Sequence, residues 1–324
     1  MASRTSPTVV TEAMDVEAPS LPKVDSLSNI SPSSTMESLP TNAAAWHLRK
    51  RARSAHHLIE VGADGVVRAR GGSGLYEEGE AFLGHLGLGE EWGEPLTSFR
   101  AVALPASAGS CIEVAAGDLH SLFLCGAGVV YSCGGGWEGP LGHGDEGSLS
   151  VPRPIAALQH LRVESIAAGG AHSLAISEGR VLWSWGWGRY GQLGHGDERR
   201  QLAPRRVDAI DSVIQVAAGR AHSLALVSDG SVFSFGCNSA GQCGLGADEA
   251  SVLLPTCVHA LANRTVRQLH ASADASAALV AGSEASGASA AELYRWGQTD
   301  GAHRAPLPEL APRGSVERMA SGPL

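Results

Sequence analysis

A chain of 324 residues with 41 Gly, 16 Pro, 44% hydrophobic and 18% charged residues is long enough for one large domain or two ordinary ones. Glycine at this level without a Gly-X-Y period excludes collagen and points to many tight turns, as an all-β fold of short strands requires. The formal net charge of −9 excludes a protein held on nucleic acid by its overall field.

Residues 1–45 are rich in Ser, Thr and Pro and carry five acids against two bases. Without apolar periodicity they cannot offset their ordering entropy, so a disordered tail is expected. They hold no secretory apolar run, and no stretch approaches the ~20 apolar residues of a membrane span. Leu48-Arg49-Lys50-Arg51-Ala52-Arg53 is the dense basic cluster. We read 46–54 as a solvated basic linker, with nuclear import or phosphate contact as the alternative. The six cysteines form no C-x-x-C pair, and read as reduced thiols of a cytoplasmic or nuclear protein.

From 55 to 322 the chain repeats. Val114-Ala-Ala-Gly-Asp-Leu-His-Ser121, Ile166-Ala-Ala-Gly-Gly-Ala-His-Ser173 and Val216-Ala-Ala-Gly-Arg-Ala-His-Ser223 align, with glycines at 117, 169 and 219. Leu269–Ser276 holds the phase with Ser272 for Gly and Ala275 for His, and Met319-Ala-Ser-Gly322 follows. Tyr131-Ser-Cys-Gly134, Trp183-Ser-Trp-Gly186, Phe233-Ser-Phe-Gly236 and Tyr294-Arg-Trp-Gly297 keep the same period, as do Gly139–Asp145, Gly191–Asp197 and Gly241–Gly246. Counted from the glycines, the units run approximately 55–116, 117–168, 169–218, 219–271 and 272–322.

Each unit predicts short strands. Ser223–Val227, Asp229-Gly230 and Ser231–Phe235 read as a hairpin whose turn needs positive φ. Ser121–Cys125 with Val129–Cys133, and Ser173–Ile176 with Val181–Trp185, repeat it. A strand led by Pro152, Pro204 or Pro255 follows, suited to a sheet edge where a missing N–H is tolerated. Four strands in about 50 residues predict a β-propeller of four-stranded blades.

The blocks Ala-Ala-Gly-x-x-His-Ser, Ser-x-Gly and Gly-Gln-Leu-Gly-His-Gly-Asp resemble the regulator of chromosome condensation repeat. The resemblance implies a propeller, commonly of seven blades. Five units are fewer, and the last stops at its first strand, so an incomplete propeller, or one of fewer blades, is expected.

The recurring positions Gly117, His120, Gly169, His172, Gly219 and His222 are read as structural. Successive blades hold the histidines too far apart for one tetrahedral ion, so no metal is expected, and each imidazole should tie its blade to the next. Ser121, Ser173 and Ser223 alternate away from their neighbouring histidines and are not nucleophiles. The Gly191–Gly196 loop lacks the lysine and the helix of a phosphate cradle. No catalytic motif and no cofactor is expected. Val181, Trp183 and Trp185 share a face and should fill the wedge between blades. Trp187, Arg189, Tyr190, Arg199 and Arg200, with Arg205 and Arg206, gather the residue types of binding hot spots. The expected function is a non-enzymatic intracellular scaffold, cytoplasmic or nuclear, that binds a protein partner. The resemblance supplies two alternatives: an exchange factor for a small GTPase and an ultraviolet-B sensor. The sensor's Gly-Trp-Arg-His-Thr tryptophans are replaced here by Gly-Gly-Ala-His-Ser and Gly-Arg-Ala-His-Ser.

Overall fold

A computed structural model describes residues 50–71, 84–89, 96–246, 249–281, 291–299 and 303–310. The expected tail over 1–45 and the final Met319–Gly322 repeat lie outside these residues. The described chain is built of strands and short 3-10 turns. Blade 1 comprises β1 (Arg51–Arg53), β2 (His57–Val61), β3 (Val67–Gly71) and β4 (Leu96–Ala101). Blade 2 comprises β5 (Cys111–Ala116), β6 (His120–Cys125), β7 (Val129–Gly134) and β8 (Leu149–Pro154). Blade 3 follows with β9 (Val163–Ala168), β10 (His172–Ser177), β11 (Val181–Gly186) and β12 (Gln201–Arg206). Blade 4 has β13 (Val213–Ala218), β14 (His222–Val227), β15 (Val232–Cys237) and β16 (Ser251–Cys257). Blade 5 has β17 (Val266–Ser272), β18 (Ala275–Val280), β19 (Glu292–Thr299) and β20 (His303–Leu310). Each blade is a meander of four antiparallel strands in chain order, so the all-β propeller expectation holds, with five blades. Among the described residues, no extensive strand packing joins blade 5 to blade 1.

Local chemistry explains the meanders. Gly230 adopts φ 90° and its amide donates to the Val227 carbonyl, while Asp229 accepts from the Ser231 amide at 2.8 Å. This closes β14 onto β15 as the Asp-Gly pair predicted. Pro152, Pro204 and Pro255 all fall in fourth strands. These are edges, and in each case the register shifts near the proline, where a ladder N–H is not needed.

The core is divided among the junctions. Blades 1 and 2 share Ile59, Val67, Val114, Phe123 and Cys133. Blades 2 and 3 share Leu122, Leu124, Ile166 and Trp185. Blades 3 and 4 share Leu174, Ile176, Val216 and Phe235, and blades 4 and 5 share Leu224, Leu226, Leu269 and Trp296. A single blade cannot bury both its faces, so each is stabilised by its neighbour.

Four expectations are corrected. The boundaries at 117, 169 and 219 fall between the first and second strands of a blade, and that at 272 on the last residue of a first strand, because the Ala-Ala-Gly position closes an inner strand. The fifth unit is therefore a complete four-stranded blade and does not stop at its first strand. Arg51–Arg53, within the expected linker, is strand β1, which pairs with β2 through Arg51↔Glu60 and Arg53↔Leu58. Cys111 and Cys125 are register partners on β5 and β6, 3.8 Å apart at Cα, and form a disulfide. Cys133, Cys237, Cys243 and Cys257 are free thiols.

Candidate functional site

One polar pair recurs at every junction. His57 Nε2 lies 2.8 Å from Ser121 Oγ, His120 2.9 Å from Ser173, His172 3.0 Å from Ser223, and His222 2.8 Å from Ser276. Each imidazole reaches the serine of the following blade. Those serines in turn donate to carbonyls of the preceding blade's loop, namely His85, Pro140, Gln192 and Gln242. A hydroxyl has one proton, and the carbonyl takes it. The histidine must therefore donate from Nε2, which leaves Nδ1 with its lone pair. Nδ1 of His120, His172 and His222 is buried with no hydrogen-bond partner among the described residues. In blade 1, Ser54 Oγ lies 2.9 Å from His57 Nδ1 instead.

Burial pulls the pKa of His120, His172 and His222 down to about 3, because an imidazolium there would lose its hydration without a partner. The residues expected to tie blade to blade do so through side chains. Sequence adjacency concealed the pairing, since His-Ser neighbours belong to different junctions. The four imidazoles serve four junctions, and among the described residues no three His, Cys, Asp or Glu side chains converge as a metal site.

The glycines are set by the same contact. A Cβ on Gly169 would lie 2.5 Å from Gly219 O of the next blade and against the His172 ring. Gly117 and Gly219 meet the equivalent neighbours. Gly169→Ala is expected to cost about 2–3 kcal/mol by forcing two blades apart. A shift in the urea midpoint measures it, and an unchanged midpoint would show that the junction can relax.

A second tie comes from the glycine loops. Gly142 lies against Trp185 of the next blade, Gly194 against Phe235, and Gly244 against Trp296. The Trp185 indole donates to Pro140 O at 2.8 Å, and that of Trp296 to Gln242 O at 2.9 Å. Inside blades 2, 3 and 4, Ser132, Ser184 and Ser234 donate to Leu141, Leu193 and Cys243 carbonyls, which pins the loop to the third strand. Buried carboxamide and carboxylate groups add a third tie. Glu113 accepts from the Ile166 amide at 3.0 Å, and Gln215 from the Leu269 amide at 2.9 Å. The wedge expectation is therefore met by Trp185, which is fully buried, whereas Val181 and Trp183 are only half-buried. The Trp183 indole instead donates to Ser177 Oγ at 3.1 Å.

The loop surface after β11 brings most of the expected hot-spot residues together. Trp187 and Tyr190 meet edge to face with centroids 5.3 Å apart. Both are half-buried, and Arg189 between them is exposed. Gly188 packs on the backbone of Arg199, so the aromatic turn rests on the exposed Arg199–Arg200 segment. Arg200 pairs with Glu146 at 2.8 Å and Glu138 at 3.5 Å, both on blade 2. Arg205 faces Asp197, and Arg206 faces Asp208 and Asp211. These ion pairs spend charge expected to steer a partner, leaving Arg189 and Arg199 without an ion pair among the described residues. Trp137 escaped the sequence reading: it is 53% exposed in the corresponding loop of blade 2, beside Glu138. Its offset from Gly139 equals that of Arg189 from Gly191, which is the signal that could have found it.

These ties define a repeat propeller whose successive blades are fastened by one recurring set of contacts. Within 127–279 the repeats are regulator of chromosome condensation repeats: the family's model matches residues 127–176, 178–226 and 229–279, and a second model of the repeat matches 163–192 and 213–242. The chain is 37% identical over 160 residues to the ultraviolet-B receptor UVR8 of Arabidopsis thaliana, covering 48% of this chain and 36% of that one. It is 39% identical over 144 residues to the E3 ubiquitin-protein ligase HERC2 of Mus musculus, covering 44% of this chain and 3% of that one. Human WBSCR16 superposes with a TM-score of 0.66 at 23% identity over 81% of this chain and 66% of its own. Yeast RCC1 (Prp20), solved with Kap60, superposes at 0.65 and 24% identity over 82% of this chain and 61% of its own. The chain thus spans from 3% to about a third of these curated relatives. No helix among the described residues is long and apolar enough to cross a membrane.

Proposed function

We propose that the chain is a non-enzymatic scaffold that binds a protein partner through the loops following the third strands of blades 2 and 3. The observation that carries this is the pair of aromatic loops, Trp137 on one and Trp187 with Tyr190 on the other, tied together by Arg200 to Glu138 and Glu146. Aromatic side chains held by a rigid framework bind with little ordering cost, and Trp, Tyr and Arg dominate interface energetics. Arg189 and Arg199 give the surface its polar contacts, while Arg200 holds its shape.

The test compares proteins captured from cells on the intact chain and on W187A/R189A. The partner's affinity should fall by ~2 kcal/mol or more, while the melting temperature stays nearly unchanged, as for surface substitutions generally. Retention of every partner by the double variant would place the contact elsewhere, and unfolding would make Trp187 a packing residue. A small GTPase lost from the variant, and accelerated in nucleotide release by the intact chain, would favour the exchange-factor reading.

A further inference from the structure

The outer face of blade 1 differs from the corresponding face of every other blade. In blades 2 to 5 that face receives the preceding blade through Ser121, Ser173, Ser223 or Ser276, and through Cys133, Trp185, Phe235 or Trp296, all buried. The residues in register on blade 1 are Leu58 and Arg70. Pairing sets Arg53, Leu58 and Arg70 in one row across the sheet and Arg51, Glu60 and Arg68 in the next. Arg53 and Arg70 are exposed, and Leu58 and Phe99 half-buried. Two of the four guanidinium groups already hold carboxylates: Arg51 lies 3.7 Å from Glu60, and Arg68 donates to Asp64 at 2.9 Å. The Arg70 guanidinium lies over the Phe99 ring, 4.8 Å from its centroid. Covering this face with an apolar blade surface would strip water from Arg53 and Arg70, which hold no carboxylate among the described residues.

We infer that the outer face of blade 1 docks an extended acidic segment of a partner protein, with two carboxylates flanking an apolar residue. Arg53 and Arg70 stand two strand spacings apart, about 10 Å, with Leu58 between them. Side chains alternate in an extended segment, so two carboxylates and an apolar residue midway between them share a face at positions i, i+2 and i+4, which sets the carboxylates about 13 Å apart. Long, flexible arginine and glutamate side chains span the difference, so both carboxylates can meet a guanidinium group while the midway side chain covers Leu58. The bidentate pairing that Arg68 makes with Asp64 is the contact the two remaining arginines would offer. A net charge of −9 opposes a dense phosphate backbone more strongly than two isolated carboxylates. The Phe99 face, occupied by Arg70, offers no platform for a nucleobase.

The measurement is fluorescence anisotropy of a labelled ten-residue peptide in which Glu, Leu and Glu occupy alternate positions with Ser between them, on the full chain, with an oligo-dT of twelve nucleotides as competitor. The intact chain should bind the peptide, more weakly as salt rises, and R53E/R70E should weaken binding at least tenfold at an unchanged melting temperature. R53Q/R70Q, which only removes charge, should weaken it in the same direction and serves if the reversed charges disturb folding. W187A/R189A should bind the peptide as the intact chain does, which separates this surface from the loop surface proposed above. Equal binding by the charge variants and the intact chain overturns the inference. So does no binding at all, or displacement of the peptide by the oligonucleotide at a lower concentration than by unlabelled peptide.

Discussion

Trp185→Ala is expected to cost about 3–5 kcal/mol of folding free energy, the range for deleting a large buried aromatic side chain. Trp185 is fully buried among Leu122, Leu124, Ile155 and Leu158 of blade 2 and Ile166 of its own blade. Its indole N–H donates to Pro140 O. Truncation empties the wedge and leaves the Gly142 turn without the surface it rests on. The Pro140 carbonyl keeps the Ser173 hydroxyl as donor, so the loss is chiefly cavity and packing. Trp183→Ala should cost less, about 1–2 kcal/mol, because that ring is half-buried. Since each core belongs to one junction, loss at the junction of blades 2 and 3 should also uncouple the array. Urea unfolding followed by circular dichroism should therefore split into two transitions in the Trp185 variant and stay single in the Trp183 variant. Equal midpoints for the two variants would mean that the wedge is not centred on Trp185.

Much of this architecture was legible because the repeat writes the same local chemistry several times. The Asp229-Gly230 turn, the alternation of β14 and β15, and the edge prolines each follow from local backbone preferences. What escaped was set by neighbours distant in sequence. His172 and Ser173 sit side by side in the chain, yet each bonds to a different blade, 51 residues ahead and 53 behind. Trp183 and Trp185 share a face by alternation. Only Trp185 meets the preceding blade's glycine loop, while Trp183 pairs in register with Arg206 at the exposed edge. Arg51-Ala-Arg53 resembles a linker because only Ala52 turns inward, so the strand carries almost no apolar pattern. The loop cluster was found by residue type, but the acids that neutralise Arg200 and Arg206 come partly from blade 2 and could not be assigned from spacing.

The histidine pairs make stability strongly dependent on acid. In the unfolded chain His120, His172 and His222 titrate near the ordinary value of about 6.5, whereas burial holds them at about 3 in the folded protein. Above pH ~6.5 neither state binds these protons and the full stability is present. Below it the unfolded chain takes up protons that the folded chain refuses, so stability falls continuously toward pH ~3. Each histidine contributes about 1.4 kcal/mol per pH unit in this window, and the three together about 4. Two units of acidification would then remove roughly 8 kcal/mol, comparable to the entire stability of an ordinary domain. Urea midpoints at pH 7.5, 6.5, 5.5 and 4.5 should be flat between the first two and drop steeply between the last two. His172→Gln can still donate to Ser223 but does not titrate. It should be less stable than the intact protein at pH 7.5, yet lose stability with a slope shallower by about 1.4 kcal/mol per pH unit, because one site is gone while His57, His85, His143 and His195, also lowered by burial, remain. A slope unchanged by that substitution would assign the acid sensitivity to other groups, with His85, His143 and His195, each lowered to about 4 by burial, the next to substitute.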